Sequence, residues 1–199
     1  MFIISLFTGS IIRMIFGLIA GVILLGIVFI AVVGVLATRG GPGACTPGGG
    51  PVTVDAANSD GFQRKWDAFN AVLDGKAPRS VALNEGELTS RAKSYLDKHD
   101  VGFHDPRICL HNGYGEGSAT FSLLGTDVKL KFRGTMDLAG AHPKAKIDSM
   151  QIGSVPGWLT APAERIVNSA LDGALNDLKL DHRYAPVLTE GNVTVAGTP

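Results

Sequence analysis

Acidic residues are missing from the opening stretch of this 199-residue chain. All 18 lie beyond Val54, and Arg13 and Arg39 are the only lysine or arginine residues before that point. Cysteine is scarce as well. Cys45 and Cys109 are the only two, which excludes a cysteine-based metal site or a disulfide framework. A bridge between them is open but does not follow from so wide a spacing. The formal net charge is zero, and the part after Val54 is slightly acidic. That argues against nucleic acid as the main partner.

Catalytic signatures are missing too. His99, His104, His111, His142 and His182 are scattered, and none shares a helix face with an acid or a cysteine at metal-ligand spacing. His104 and His111 flank a strand pattern, where any approach would be a coincidence of loop and edge. No serine sits in a nucleophile elbow. The run Asn112-Gly113-Tyr114-Gly115-Glu116-Gly117 reads as a turn-rich connection. It has no strand-then-helix context of the kind a phosphate loop requires. Asp137 and Asp148 fall in strand patterns, where carboxylates are ordinarily solvated. The expectation is a protein that is not an enzyme, with no cofactor and no metal.

What is present is a long apolar run. Met14 to Ala37 holds 24 residues with no charge and no polar side chain. As a helix it would reach about 36 Å at ~1.5 Å per residue. That exceeds a hydrocarbon core of roughly 30 Å. The run outlasts the h-region of a cleaved signal peptide, although Val35-Leu36-Ala37 resembles a cleavage site. Cys45 lacks the preceding apolar residue of a lipoprotein. The expected organisation is a membrane anchor over 1–38 with the span at 14–37, a linker over 39–54 and an α+β domain over 55–199. Arg13 with the amino terminus on one side and Arg39 on the other favour an extracytoplasmic C-terminal domain of a single-pass cell-membrane protein. Gly17 and Gly21 form one G-x-x-x-G, which is either a face for self-association or the ordinary glycine of a span. Gly40 to Gly50 is rich in glycine and proline and reads as a flexible tether.

Within the domain, Phe62, Trp66, Phe69 and Leu73 recur at helical spacing, capped by Ser59 or Asp60 and ended by Gly75. That aromatic face either packs on the core or lies in a membrane interface. Ser80 to Leu83 reads as a strand. Asn84 then caps a helix that carries Glu85 and Glu87 in its first turn and Leu88, Ala92, Tyr95 and Leu96 as its stripe.

Strand patterns follow at Ile108 and Leu110, and at Ala119, Phe121 and Leu123. The clearest runs from Asp127 to Leu138, with Val128, Leu130, Phe132, Met136 and Leu138 on one face. Lys129, Lys131 and Arg133 line the other face. These three cations are either a solvated sheet face or a surface for anionic headgroups. Gly134 interrupts the apolar row, and the phase change between Ile147 and Met150 points to a bulge near Ser149. Leu159, Ala163, Ile166, Val167, Ala170, Leu171, Ala174 and Leu178 give a longer helix. Tyr184 to Leu188 and Asn192 to Ala196 flank Glu190-Gly191 as a hairpin.

The simplest packing is a curved antiparallel sheet with helices on its apolar face. That face either closes into a core or opens into a cleft for an acyl chain.

Three stretches resemble one family. Val81-Ala82-Leu83-Asn84-Glu85-Gly86-Glu87-Leu88-Thr89 looks like its strand-then-acidic-helix segment. Ile152-Gly153-Ser154-Val155-Pro156-Gly157-Trp158-Leu159, followed by Ile166 to Leu171, is similar to its Gly-x-x-Pro-then-helix segment. Leu188 to Gly197 resembles its closing hairpin. The family is that of the LmeA-like phospholipid-binding proteins and related tubular lipid-binding (TULIP-like) proteins of the bacterial cell envelope. The resemblance implies a half-length module: an N-terminal transmembrane helix, then a curved sheet wrapped on a long helix with lipid between them. The implied lining positions are Phe121, Leu123, Val128, Leu130, Phe132, Ile166, Val167, Ala170 and Ala174. The partners expected are the bilayer and a phospholipid. The leading function is a non-enzymatic, membrane-tethered lipid-binding domain. The alternative is an accessory or scaffold subunit of a membrane complex.

Overall fold

The first helix starts where Asp55 turns its carboxylate back on the chain, with Oδ1 accepting the Asn58 N–H at 2.7 Å. The computed structural model of the chain describes residues 40–99, 103–123, 125–176 and 179–199. Helix α1 spans Ala56–Asp74 and buries Phe62, Trp66, Phe69 and Leu73 along one face. The helix therefore begins ahead of Ser59 and Asp60, because Asp55 is the better-placed acceptor for its free N–H groups. Strand β1 is Arg79–Asn84 and helix α2 is Glu85–His99. Between them Asn84 and Glu87 cap each other. Asn84 Oδ1 accepts the Glu87 N–H at 2.9 Å, and Glu87 Oε2 accepts the Asn84 N–H at 3.1 Å. This reciprocal pair satisfies the first donors of the helix.

Strands β2 (Phe103–His111), β3 (Tyr114–Leu123), β4 (Thr126–Asp137) and β5 (Lys144–Ile152) follow. They pair in sequence order as a four-stranded antiparallel sheet. The register steps between Arg133, opposite Ser149, and Gly134, opposite Ile147. Asp148 is the extra residue of a bulge, beside the expected position. A side chain at Gly134 would meet the Lys146 carbonyl, so the close approach at the bulge requires glycine.

Helix α3 is Gly157–Asn176, and β6 (Arg183–Thr189) and β7 (Asn192–Thr198) form the closing hairpin. β7 does not join the larger sheet. It pairs with both β1 and β6 to give a separate three-stranded sheet ordered β1-β7-β6. Val81, Leu83, Val193, Val195 and Tyr184 point inward from it and are buried, while Ala82, Thr194, Ala196 and Val187 face out. Helix α1 lies on the inner face so closely that a side chain at Gly197 would strike Phe69 and Leu73. Trp66 stacks with Phe62 at a centroid distance of 6.1 Å and with Tyr184 at 6.0 Å. Full burial of a Phe or Leu side chain contributes about 1.5–3 kcal/mol, so this aromatic face belongs to the core.

Two expectations are corrected. The single curved sheet wrapped on a long helix is not formed. The antiparallel strands divide between two sheets, and α3 runs along β5 instead of crossing a sheet face. The Asn168 amide bonds both backbone groups of Ile147, accepting from its N–H at 2.7 Å and donating to its C=O at 2.9 Å. Glu164 accepts the Met150 N–H at 2.9 Å. α3 thereby covers the open edge of the sheet.

The single-pass cell-membrane assignment is likewise not supported by the described residues. No described helix is long and apolar enough to cross a membrane. The expected span at 14–37 and its Gly17/Gly21 face lie outside the described residues.

The segment before α1 is docked on the domain. Cys45 and Cys109 form a disulfide with Cα atoms 6.0 Å apart. The Cys45 N–H also donates to Ser118 Oγ at 3.2 Å. Further along, Gly48 and Gly49 donate to the two oxygens of Glu85 at 2.9 and 3.1 Å, and Leu110 N–H donates to Oε1 at 2.6 Å. Glu85 is buried, and three backbone donors replace its lost hydration. Glycine is required here because a side chain at Gly48 or Gly191 would run into the facing backbone.

Candidate functional site: an apolar cleft between two sheets

The two sheets face each other across a gap that their side chains do not fill. The gap opens where β3 and β4 have little to offer. Gly115 and Gly134 sit directly opposite each other in the ladder, so this part of the floor carries no side chains. Two pairs along, on the same face, Gly117 faces Phe132, and the Phe132 ring occupies the space a Gly117 side chain would need. Met136 faces Ala145 on β5, another short side chain. The result is a partly open cleft of about 240 Å³. Its floor is Phe132, Met136 and Ile147. Its walls are Phe62 and Trp66 from α1, Leu83 from β1, and Pro186 and Leu188 from β6.

The closing hairpin is fastened to the larger sheet at both ends. Tyr184 N–H donates to Leu138 C=O at 3.2 Å, and Gly113 N–H donates to Leu188 C=O at 3.2 Å. Pro186 lies between these contacts and lines the cleft. Lacking an N–H, it is tolerated in a strand only with its nitrogen toward a free edge. It leaves no unpaired donor there.

The lining is almost wholly apolar. Glu116 and Lys146 contribute to it, but both are engaged elsewhere. Glu116 bridges to Lys131 at 2.9 Å and Lys146 bridges to Asp148 at 2.9 Å. One buried polar atom among the lining residues stands apart: the Trp66 Nε1–H has no protein acceptor. Beside the cleft, the Tyr184 hydroxyl donates to Asn70 Oδ1 at 3.2 Å. Burial pushes the Tyr184 phenol well above its ordinary range, and the carboxylates of Asp181 and Asp74 push it further the same way.

Of the expected lining positions, Phe132 lines the cleft. Phe121, Val128 and Leu130 lie buried farther along the same sheet face. Phe121 there packs on Phe103 with ring centroids 4.7 Å apart. Val167 is buried on α3. The side chains of Leu123, Ile166, Ala170 and Ala174 are outside what the structure describes.

The expected basic stripe lies on the opposite face. Lys131 is paired with Glu116, and Arg133 sits 3.5 Å above the Tyr114 ring. Lys129 lies beside Gly41 of the docked segment. His104 and His111 stay apart at opposite ends of β2. His104 is 3.7 Å from Asp127, and His111 is 3.0 Å from Glu190. Among the described residues no cluster of three or more His, Cys, Asp or Glu side chains could hold a metal ion.

Sequence reasoning missed Gly115, Gly134, Leu188 and Trp66 as cleft residues. A usable signal was present. Gly115 and Gly117 alternate within a strand, and Phe132 stands opposite on the next one, a pairing that leaves little side-chain volume on one face.

No family model matches the chain, and no curated protein or solved structure matches it either.

Proposed function

We propose that this domain is a non-enzymatic binding module that takes the apolar chain of a lipid-like molecule into the cleft between its two sheets. One observation carries the reading: a cleft of about 240 Å³ that opens where Gly115, Gly134 and Ala145 leave the floor short of side chains, lined by aromatic and aliphatic groups. An engineered apolar cavity of about 150 Å³ already stays dry and admits benzene. The cleft here is larger and open on one side, so a flexible chain can enter end first. Apolar lining with few polar groups is the usual character of a small-molecule site.

The test is uptake of an environment-sensitive fluorescent fatty acid by the full chain, with native mass spectrometry to detect a bound molecule. Saturable, one-to-one uptake displaced by unlabelled decanol supports the reading. A protein that remains ligand-free in the spectrometer and leaves the probe's emission unchanged overturns it.

A further inference from the structure

We infer that Phe132 sets how long a chain the cleft accepts, its ring standing as the wall at the inner end. The inference rests on the reading of the cleft as a chain-binding site and names the residue that limits the ligand.

Val128, Leu130, Phe132, Gly134 and Met136 follow one another on the inward face of β4. Phe132, Gly134 and Met136 line the cleft, and Leu130 and Val128 do not. The same boundary crosses the neighbouring strands. On β3 the lining stops at Gly117, which pairs with Phe132, and on β5 it stops at Ile147. Past that boundary the sheet is packed. Met150, opposite Phe132, is buried, and the next pair, Leu130 with Ile152, is 9% and 0% exposed. At this end the cleft therefore meets side chains and not solvent.

The position of the ring suits it to be the barrier. It fills the space of a Gly117 side chain, with its far carbon, Cζ, coming nearest. The ring thus reaches from β4 over β3 and bars the sheet face across both strands. Beyond it the face stays apolar through Leu130, Val128 and Phe121. A smaller side chain at position 132 would extend the cleft over that apolar surface.

The experiment measures displacement of the fluorescent fatty acid from the full chain by straight-chain primary alkanols, from hexanol to hexadecanol. Affinity is expected to rise about fourfold with each added methylene, until the chain reaches Phe132, and to level off beyond. The chain length at that break is the readout. The break is expected to move outward by the carbons each variant gives up, about three in Phe132→Leu and about six in Phe132→Ala, because interiors keep a nearly constant packing density. The leucine variant retains a branched apolar side chain, which guards against a folding defect in the alanine variant. A break at the wild-type length in the leucine protein overturns the inference and leaves the chain-binding reading intact. Equal weakening at every length does the same, since it marks Phe132 as a packing residue only. Wild-type affinity that climbs through the whole series without a break also overturns the inference. Wild-type protein that binds neither the probe nor any alkanol overturns both readings.

Discussion

Asn168 treats Ile147 as a neighbouring strand would, with its side-chain amide accepting from the backbone N–H at 2.7 Å and donating to the C=O at 2.9 Å. One residue of a helix thus replaces a pair of ladder bonds at the exposed edge of the larger sheet.

Asn168→Ala removes both bonds and leaves two backbone groups of β5 without partners. Each stranded group costs about 1–3 kcal/mol if it stays buried, and less where water enters. The expected outcome is a stability loss of about 1–3 kcal/mol and faster amide exchange at Ile147. Unchanged exchange at that amide would show that the edge is protected by something other than Asn168.

Glu85→Gln keeps the size of the side chain and replaces one carboxylate oxygen by an amide nitrogen. Gly48, Gly49 and Leu110 all present N–H groups to this carboxylate, so one or more of them would face another donor. Bonds to a charged acceptor are worth about 1.5–3 kcal/mol. The urea midpoint is expected to fall accordingly, with exchange rising at Gly48 and Gly49. A midpoint equal to that of the wild type would refute the anchoring role.

Gly115→Leu places a side chain into the cleft. A first carbon there meets Leu110 and Leu188 at an ordinary 3.9 Å, so the backbone can accept it, and the remaining carbons must occupy the gap. Uptake of a fluorescent fatty acid is expected to weaken by about tenfold or more, with circular dichroism unaltered. Retained uptake would place the ligand elsewhere.

Tyr184 sets a limit on alkaline stability. Its folded phenol titrates well above the ordinary 10.0, first because it is buried and then because Asp181 and Asp74 lie near. Above about pH 10 the unfolded chain loses this proton while the folded chain keeps it. The folded state then binds more protons than the unfolded one, so stability decreases as pH rises. The contribution is fully present below that pH. Tyr184→Phe should flatten the decline, while removing the hydroxyl bond to Asn70. Parallel slopes for the two proteins, measured by urea unfolding across the alkaline range, would count against this assignment.

Individual elements were legible where they are written locally, but the arrangement of the sheets was not. The cap at Asn84, the hairpin at Glu190-Gly191 and the bulge expected near Ser149 and found at Asp148 each depend on a few adjacent residues. The pairing of β1 with β7 was not legible. Val81 and Val195 face each other across more than half of the chain, and alternation alone does not name a partner strand. The apolar stripe of α3 says nothing of Asn168, whose amide meets a strand edge. Gly115 and Gly117 were taken for a connection because glycine is rare within strands. The ring of Phe132 over Gly117 makes the strand workable. The segment around Gly48 looked like a tether because its side chains offer nothing to pack. Its backbone N–H groups hold it, and composition does not report on those.

The bond between Cys45 and Cys109 encloses α1, β1 and α2 in one covalent ring. A protease that nicks the exposed turn at Lys76 and Ala77 would open that ring without releasing either piece. On a gel run without reductant the nicked chain would migrate as one species. Everything upstream of the break, including whatever precedes Gly40, would remain tied to the larger sheet until a thiol reagent cut the second connection.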